Sequence, residues 1–145
     1  MKTLILILII SLSISNATST HRQFINDKER KNVVKKAKRF ISQKYFFKKP
    51  RKSYKLSIRA IKSQNNFVRL ESVAVYNNGN YVENDYVEDI VFNLCLAKVN
   101  NRWHIVFDLS RNDVPSSEEM RKIKSDFPSN FPLKLLSPFW QKLFK

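Results

Sequence analysis

The spacing of apolar positions changes along the chain, and each change marks an element. Val33, Val34, Ala37, Phe40, Ile41 and Tyr45 recur at helical intervals, which at 100° per residue gathers them on one stripe. Lys28, Lys31, Lys35, Lys38 and Arg39 project to the other side. Asn26 is placed to cap this helix, Glu29 three residues on to complete a capping box, and Pro50 to stop it, so a basic amphipathic helix is predicted over 26–49. From Tyr54 the period becomes two: Tyr54, Leu56, Ile58 and Ala60 alternate with Lys55, Ser57 and Arg59, as in a half-solvated strand. Residues 63–66 then turn the chain. A second strand, Phe67 to Tyr76, runs into Asn78-Gly79. Both positions tolerate positive φ, which predicts a two-residue hairpin with Tyr76 facing Tyr81 and Val75 facing Val82. A third strand breaks near Asn84 and Asp85, resumes through Ile90 to Val99, and Asn100-Asn101 turns it into a fourth from Arg102 to Leu109.

That last hairpin carries its own register. With Asn100 and Asn101 as the turn, Phe92 faces Leu109, Leu94 faces Phe107 and Leu96 faces Ile105. One face is then large and apolar, with Trp103 joining it beside the Lys98 stem, and is expected to receive the N-terminal helix. The reverse face carries Asn93, Cys95 and Ala97 with His104, Val106 and Asp108, and is smaller and half polar. Beyond the sheet, Ser116 and Glu119 predict a capping box for a short helix ending near Asp126. Pro128, Pro132 and Pro138 then interrupt the chain, and Ser137-Pro138 suits the start of a final turn through Phe139, Trp140, Leu143 and Phe144. The predicted fold class is α+β: an N-terminal helix packed on a curved four-stranded antiparallel sheet (54–110), with short helices in a proline-broken tail (116–145).

The first residues alter the picture of where this fold works. Lys2, the apolar run Leu4 to Ile14 and the small residues Ser15 and Ala17 have the three parts of a signal peptide. The run spans only about 16 Å, against roughly 30 Å of bilayer hydrocarbon, which favours cleavage over anchoring. Residues 1–17 are therefore read as a signal peptide and 18–145 as a single domain, secreted or periplasmic. The lone Cys95 has no partner within the chain for a disulfide and reads as a buried, inert thiol.

Charge is spread unevenly. Between His21 and Lys62 there are 16 Lys or Arg against 2 acids, a net of +14, whereas from Ser63 to the end there are 10 of each. An AT-rich coding sequence would also enrich lysine, but along the whole chain and not in one third of it. Such concentration points to an anionic partner.

One helix followed by a four-stranded meander resembles the cystatin-like and NTF2-like α+β folds, and the stretch Trp103 to Pro115, WHIVFDLSRNDVP, looks like the closing strand of exported NTF2-like proteins. The resemblance implies a sheet wrapped around its helix, with a pocket between them in some members. NTF2-like chains carry further helices before the sheet. The inhibitory glycine and Gln-Val-Gly-type loop of cystatins are absent here, so protease inhibition is not implied.

Catalytic and metal signatures are weak. His104 and Asp108 are expected on one strand face some 13 Å apart, too far for a dyad. Two histidines and one cysteine supply no recognisable ligand spacing. Glu83, Asp85, Glu88 and Asp89 match no calcium loop and read as a solvated strand edge or as an intramolecular partner for the basic helix. One glycine in the chain excludes glycine-dependent phosphate loops. No cofactor is implied. The leading expectation is a non-catalytic exported domain that engages an anionic surface, an acidic glycan or an acidic protein through Lys31, Lys35, Lys38, Arg39, Arg51 and Lys52. The second is an NTF2-like enzyme or small-ligand carrier with a pocket over Asn93, His104 and Asp108. The third is peripheral membrane contact through the basic helix together with the aromatic tail. Nucleic acid, which Tyr45, Phe46 and Phe47 would have to stack on, is disfavoured by export.

Overall fold

The computed structural model describes residues 25–46, 53–82, 90–111 and 113–145. The element order is α1 (Asp27–Tyr45), β1 (Lys55–Gln64), β2 (Phe67–Val75), β3 (Phe92–Val99), β4 (Arg102–Asp108), α2 (Ser117–Asp126), a 3-10 turn (Leu133–Leu135) and α3 (Pro138–Phe144). The four strands form one antiparallel meander in the order β1-β2-β3-β4. The fold is α+β, with the N-terminal helix and short C-terminal helices on the sheet. The signal-peptide segment, the acidic stretch at 83–89 and the Arg51 and Lys52 connection lie outside the described residues.

α1 starts where its cap requires: the Asn26 side-chain oxygen accepts from the Glu29 backbone N–H at 2.9 Å. The expected capping box is only half made, because the Glu29 carboxylate pairs with Lys98 on β3 and does not fold back on the cap. The helix also ends at Tyr45, short of the expected residue 49. Val33, Ala37, Ile41 and Tyr45 bury the i, i+4 row against Leu70, Leu94, Leu96 and Trp103, making the first core.

Turn chemistry explains the registers. Asn100 and Asn101 both have positive φ, 49° and 60°, as a type I′ hairpin demands, and the tip pairs as expected: Leu96 with Ile105, Lys98 with Trp103. The Asn78-Gly79 turn differs. The Tyr76 N–H donates to Asn80, Val75 bridges Tyr81, and only Gly79 has positive φ, 87°, so the loop has three residues and the pairing shifts by one. A type I turn closed by glycine in the left-handed region accounts for this.

A bulge in β4 produces the main departure from the sequence reading. After Leu96–Ile105 the register slips, so that Cys95 opposes Phe107 and Leu94 opposes Asp108, leaving Val106 as the extra residue. Phe107 and Leu109 thereby move to the reverse face, and Asp108 turns to the helix side. The reverse face thereby gains apolar surface around its buried Arg69 and Asn93, and the tail covers it. Phe127, Phe131, Leu135, Leu136 and Trp140 pack over Cys95 and Leu109 in a second core. Rings meet edge-on between Phe107 and Phe127 (centroids 5.2 Å) and between Phe67 and Phe131 (5.4 Å). The sheet is thus the middle of three layers, helix on one side and tail on the other. The tail itself is built as its prolines and caps predict, with a full capping box at Ser116 and Glu119 and Ser137 capping α3.

Candidate anion-binding face

With the buried stripe of α1 fixed on the sheet, rotation of 100° per residue determines where each cation projects. Lys28, Lys31, Lys35 and Arg39 fall within an arc of about 80° on the outward side, and all four are exposed. Among the described residues, none of the four has a carboxylate within ion-pairing distance. Two other cations of the helix, Lys38 and Lys44, are committed elsewhere. Lys38 sits on the flank, donates to the Tyr54 carbonyl and lies 4.8 Å from the Tyr54 ring centroid. The Tyr54 hydroxyl in turn meets Ser42 Oγ at 2.5 Å. Lys44 donates to Asp108 at 2.6 Å and lies over the Phe40 and Tyr45 rings.

Among the described residues, Glu29 and Asp108 clamp the two ends of the helix, while Asp27 is exposed in its first turn beside Lys31 without an ion pair to the outward row. Glu29 ties the first turn to Lys98. Asp108, with its side chain 10% exposed, holds the last turn through Lys44 and through the Tyr45 hydroxyl, which donates at 2.7 Å. Of the six cations singled out from sequence, Lys31, Lys35 and Arg39 share the outward row, Lys38 borders it, and Arg51 and Lys52 lie outside the described residues. Lys28, equally exposed, belongs to the row by the same arithmetic.

The alternative set does not converge. Asn93 is buried and accepts from Arg69 Nε at 3.0 Å. His104 is exposed on the edge strand opposite Ala97, and the bulge puts Asp108 on the other side of the sheet from it. The expectation that His104 and Asp108 share a face is thereby corrected. Cys95 is fully buried; burial pushes its thiol up to about 12, with Arg69 pulling down and Asp108 adding to the rise, so no reactive thiolate faces His104. Among the described residues, no three His, Cys, Asp or Glu side chains cluster as metal ligands do.

Two features were not read from sequence. Arg69, 2% exposed, is buried beneath the tail and pairs with Glu71 and Asn93; its polar type in a strand offered no sign of this. Arg111, just beyond β4, bonds Asp113 at 3.2 Å and Glu119 at 3.0 Å, tying the sheet's exit to α2. The Ser116 backbone N–H, then the Arg111 guanidinium, hold the Glu119 carboxyl down at about 2.

The aromatics sort by layer. Tyr45 and Phe46 are buried against Phe92 and Tyr54, so neither presents a ring for stacking on a base. Phe47 lies outside the described residues. In the tail Trp140, Leu143 and Phe144 pack on the protein's own sheet, leaving Leu133 and Phe139 exposed. Those two stand across the sheet from the outward row of α1, roughly 20 Å away by layer spacing. A single planar bilayer does not engage both. Among the described residues, no helix is long and apolar enough to cross a membrane. No protein-family model, curated protein or solved structure matches the chain.

Proposed function

We propose that this chain is an exported, non-catalytic domain that binds an anionic partner through the outward face of α1. The observation that carries the reading is the row Lys31, Lys35 and Arg39, extended by Lys28: exposed, aligned and without a carboxylate partner among the described residues. Each such exposed contact is worth about 0.2–1 kcal/mol and is screened by salt, so several must act together. Export is part of the proposal, motivated by the Lys2, Leu4 to Ile14 and Ala17 pattern. The NTF2-like and cystatin-like resemblance contributes only a shape to it.

The test is elution from an anionic matrix along a salt gradient. Reversing Lys31, Lys35, Lys38 and Arg39 to glutamate is expected to move elution to markedly lower salt. Unchanged elution of the reversed, folded variant removes the reading.

A further inference from the structure

The form of the partner follows from how the cations are arranged, an inference that rests on the anion-binding reading above. Lys28, Lys31, Lys35 and Arg39 climb the helix in single turns, so neighbours stand about 5–6 Å apart and the row runs about 16 Å along the axis. It is a line along the helix, bordered by an open depression lined by Asp27, Arg30, Lys31, Val34, Lys35 and Lys38 that is too open to enclose a small anion. Exposed Asn32 and Asp27 border the row on either side.

Two common polyanionic surfaces fit this line poorly. An interfacial helix needs large apolar side chains facing the lipid; α1 spends Val33, Ala37, Ile41 and Tyr45 against its own sheet, and the exposed Leu133 and Phe139 are in the opposite layer. Single-stranded nucleic acid needs aromatic platforms beside the charges, and Tyr45 and Phe46 are packed inward. What remains is electrostatic contact along one direction, which suits a flexible hydrophilic chain of repeating charges.

We infer that the outward row of α1 binds a linear hydrophilic polyanion, carrying sulfate or phosphate charges, laid along the helix axis. The polymer needs no base, acyl chain or defined sequence. Its charges are matched one by one to cations one helical turn apart, and a segment with about four charges spans the row.

The chain is titrated with dextran sulfate fractions and polyphosphates of graded length, and with vesicles containing about 30% phosphatidylglycerol. Affinity is expected to rise with polymer length until the row is spanned and then to flatten, with vesicles binding more weakly at equal anion concentration. Lys31→Gln with Lys35→Gln is expected to weaken polymer binding about tenfold. Lys122→Gln with Lys124→Gln removes the same charge from exposed positions of α2, in the tail layer, and is expected to change binding less than about twofold. The stronger polymer identifies sulfate or phosphate as the preferred charge, and equal binding by both supports their shared chemistry. Equal losses from the two variant pairs, or vesicles binding as tightly as polymers, overturn the inference. Failure of every probe to bind removes the anion-binding reading itself.

Discussion

Replacing Asp108 by alanine tests the β4 bulge and the helix clamp together. Its Oδ2 accepts from Lys44 Nζ at 2.6 Å and from the Tyr45 hydroxyl at 2.7 Å, and its Oδ1 accepts from the Ser110 backbone N–H at 2.9 Å. Alanine removes all three bonds. The Lys44 side chain is 45% exposed, so that pair is discounted to about 0.5 kcal/mol for solvent screening. The Tyr45 hydroxyl sits at a largely buried residue and loses an ionised acceptor, at a cost of about 1–2 kcal/mol, and the Ser110 N–H adds about 1 kcal/mol. The expected loss is therefore about 3 kcal/mol, or roughly 10 °C in Tm for a domain of this size. Urea unfolding followed by circular dichroism measures it, and a double-mutant cycle with Tyr45→Phe is expected to return a coupling of about 1 kcal/mol. With an unbroken register Asp108 would face away from α1. A loss below about 0.5 kcal/mol, the usual range for surface changes, would refute the bulged geometry and the clamp.

Two further substitutions probe the two cores. Cys95 has a raised pKa, so its contribution to stability is complete below the unfolded thiol value of about 8.5 and is lost as pH rises toward about 12. In Cys95→Ala the decline between about pH 9 and pH 11 should be shallower by about 1.4 kcal/mol per unit, and an identical slope in both proteins would place the thiol in solvent. On the helix side, Ser72 is fully buried with no partner for its hydroxyl among the described residues. Ser72→Ala is expected to stabilise by about 1 kcal/mol in the same unfolding assay, and a loss of similar size would show that the hydroxyl is bonded.

Much of this fold was legible because local rules agreed. The i, i+4 row of α1, the alternation in β1, the Asn100-Asn101 turn and the serine caps at 116 and 137 each have one good local solution, and each forms. The misreadings arise where tertiary packing chose between local options. Ile105-Val106-Phe107 is an unbroken apolar run, and reading it as strict alternation required one face to stay half polar. A bulge satisfies the run better, because Phe107 and Leu109 then meet the aromatic tail. Strand-level reasoning had left that tail without a surface to cover. The same slip relocated Asp108 and separated it from His104. Asn78-Gly79 was compatible with two loop lengths, and strand pairing beyond the turn decided between them. For the site, helical periodicity sufficed to align Lys31, Lys35 and Arg39. That Lys38 turns to Tyr54, and that Glu29 and Asp108 are withdrawn into clamps, depends on contacts made across the sheet.

The proposed binding uses the outer face of α1 and not the molecule's charge at large. Amide chemical shifts of the labelled chain, followed during titration with dextran sulfate at low ionic strength, address it directly. The changes are expected to concentrate at Lys28, Lys31, Lys35 and Arg39 and to fade as salt is added. Shifts centred on the tail around Leu133 and Phe139, or spread evenly over lysines of every layer, would contradict it.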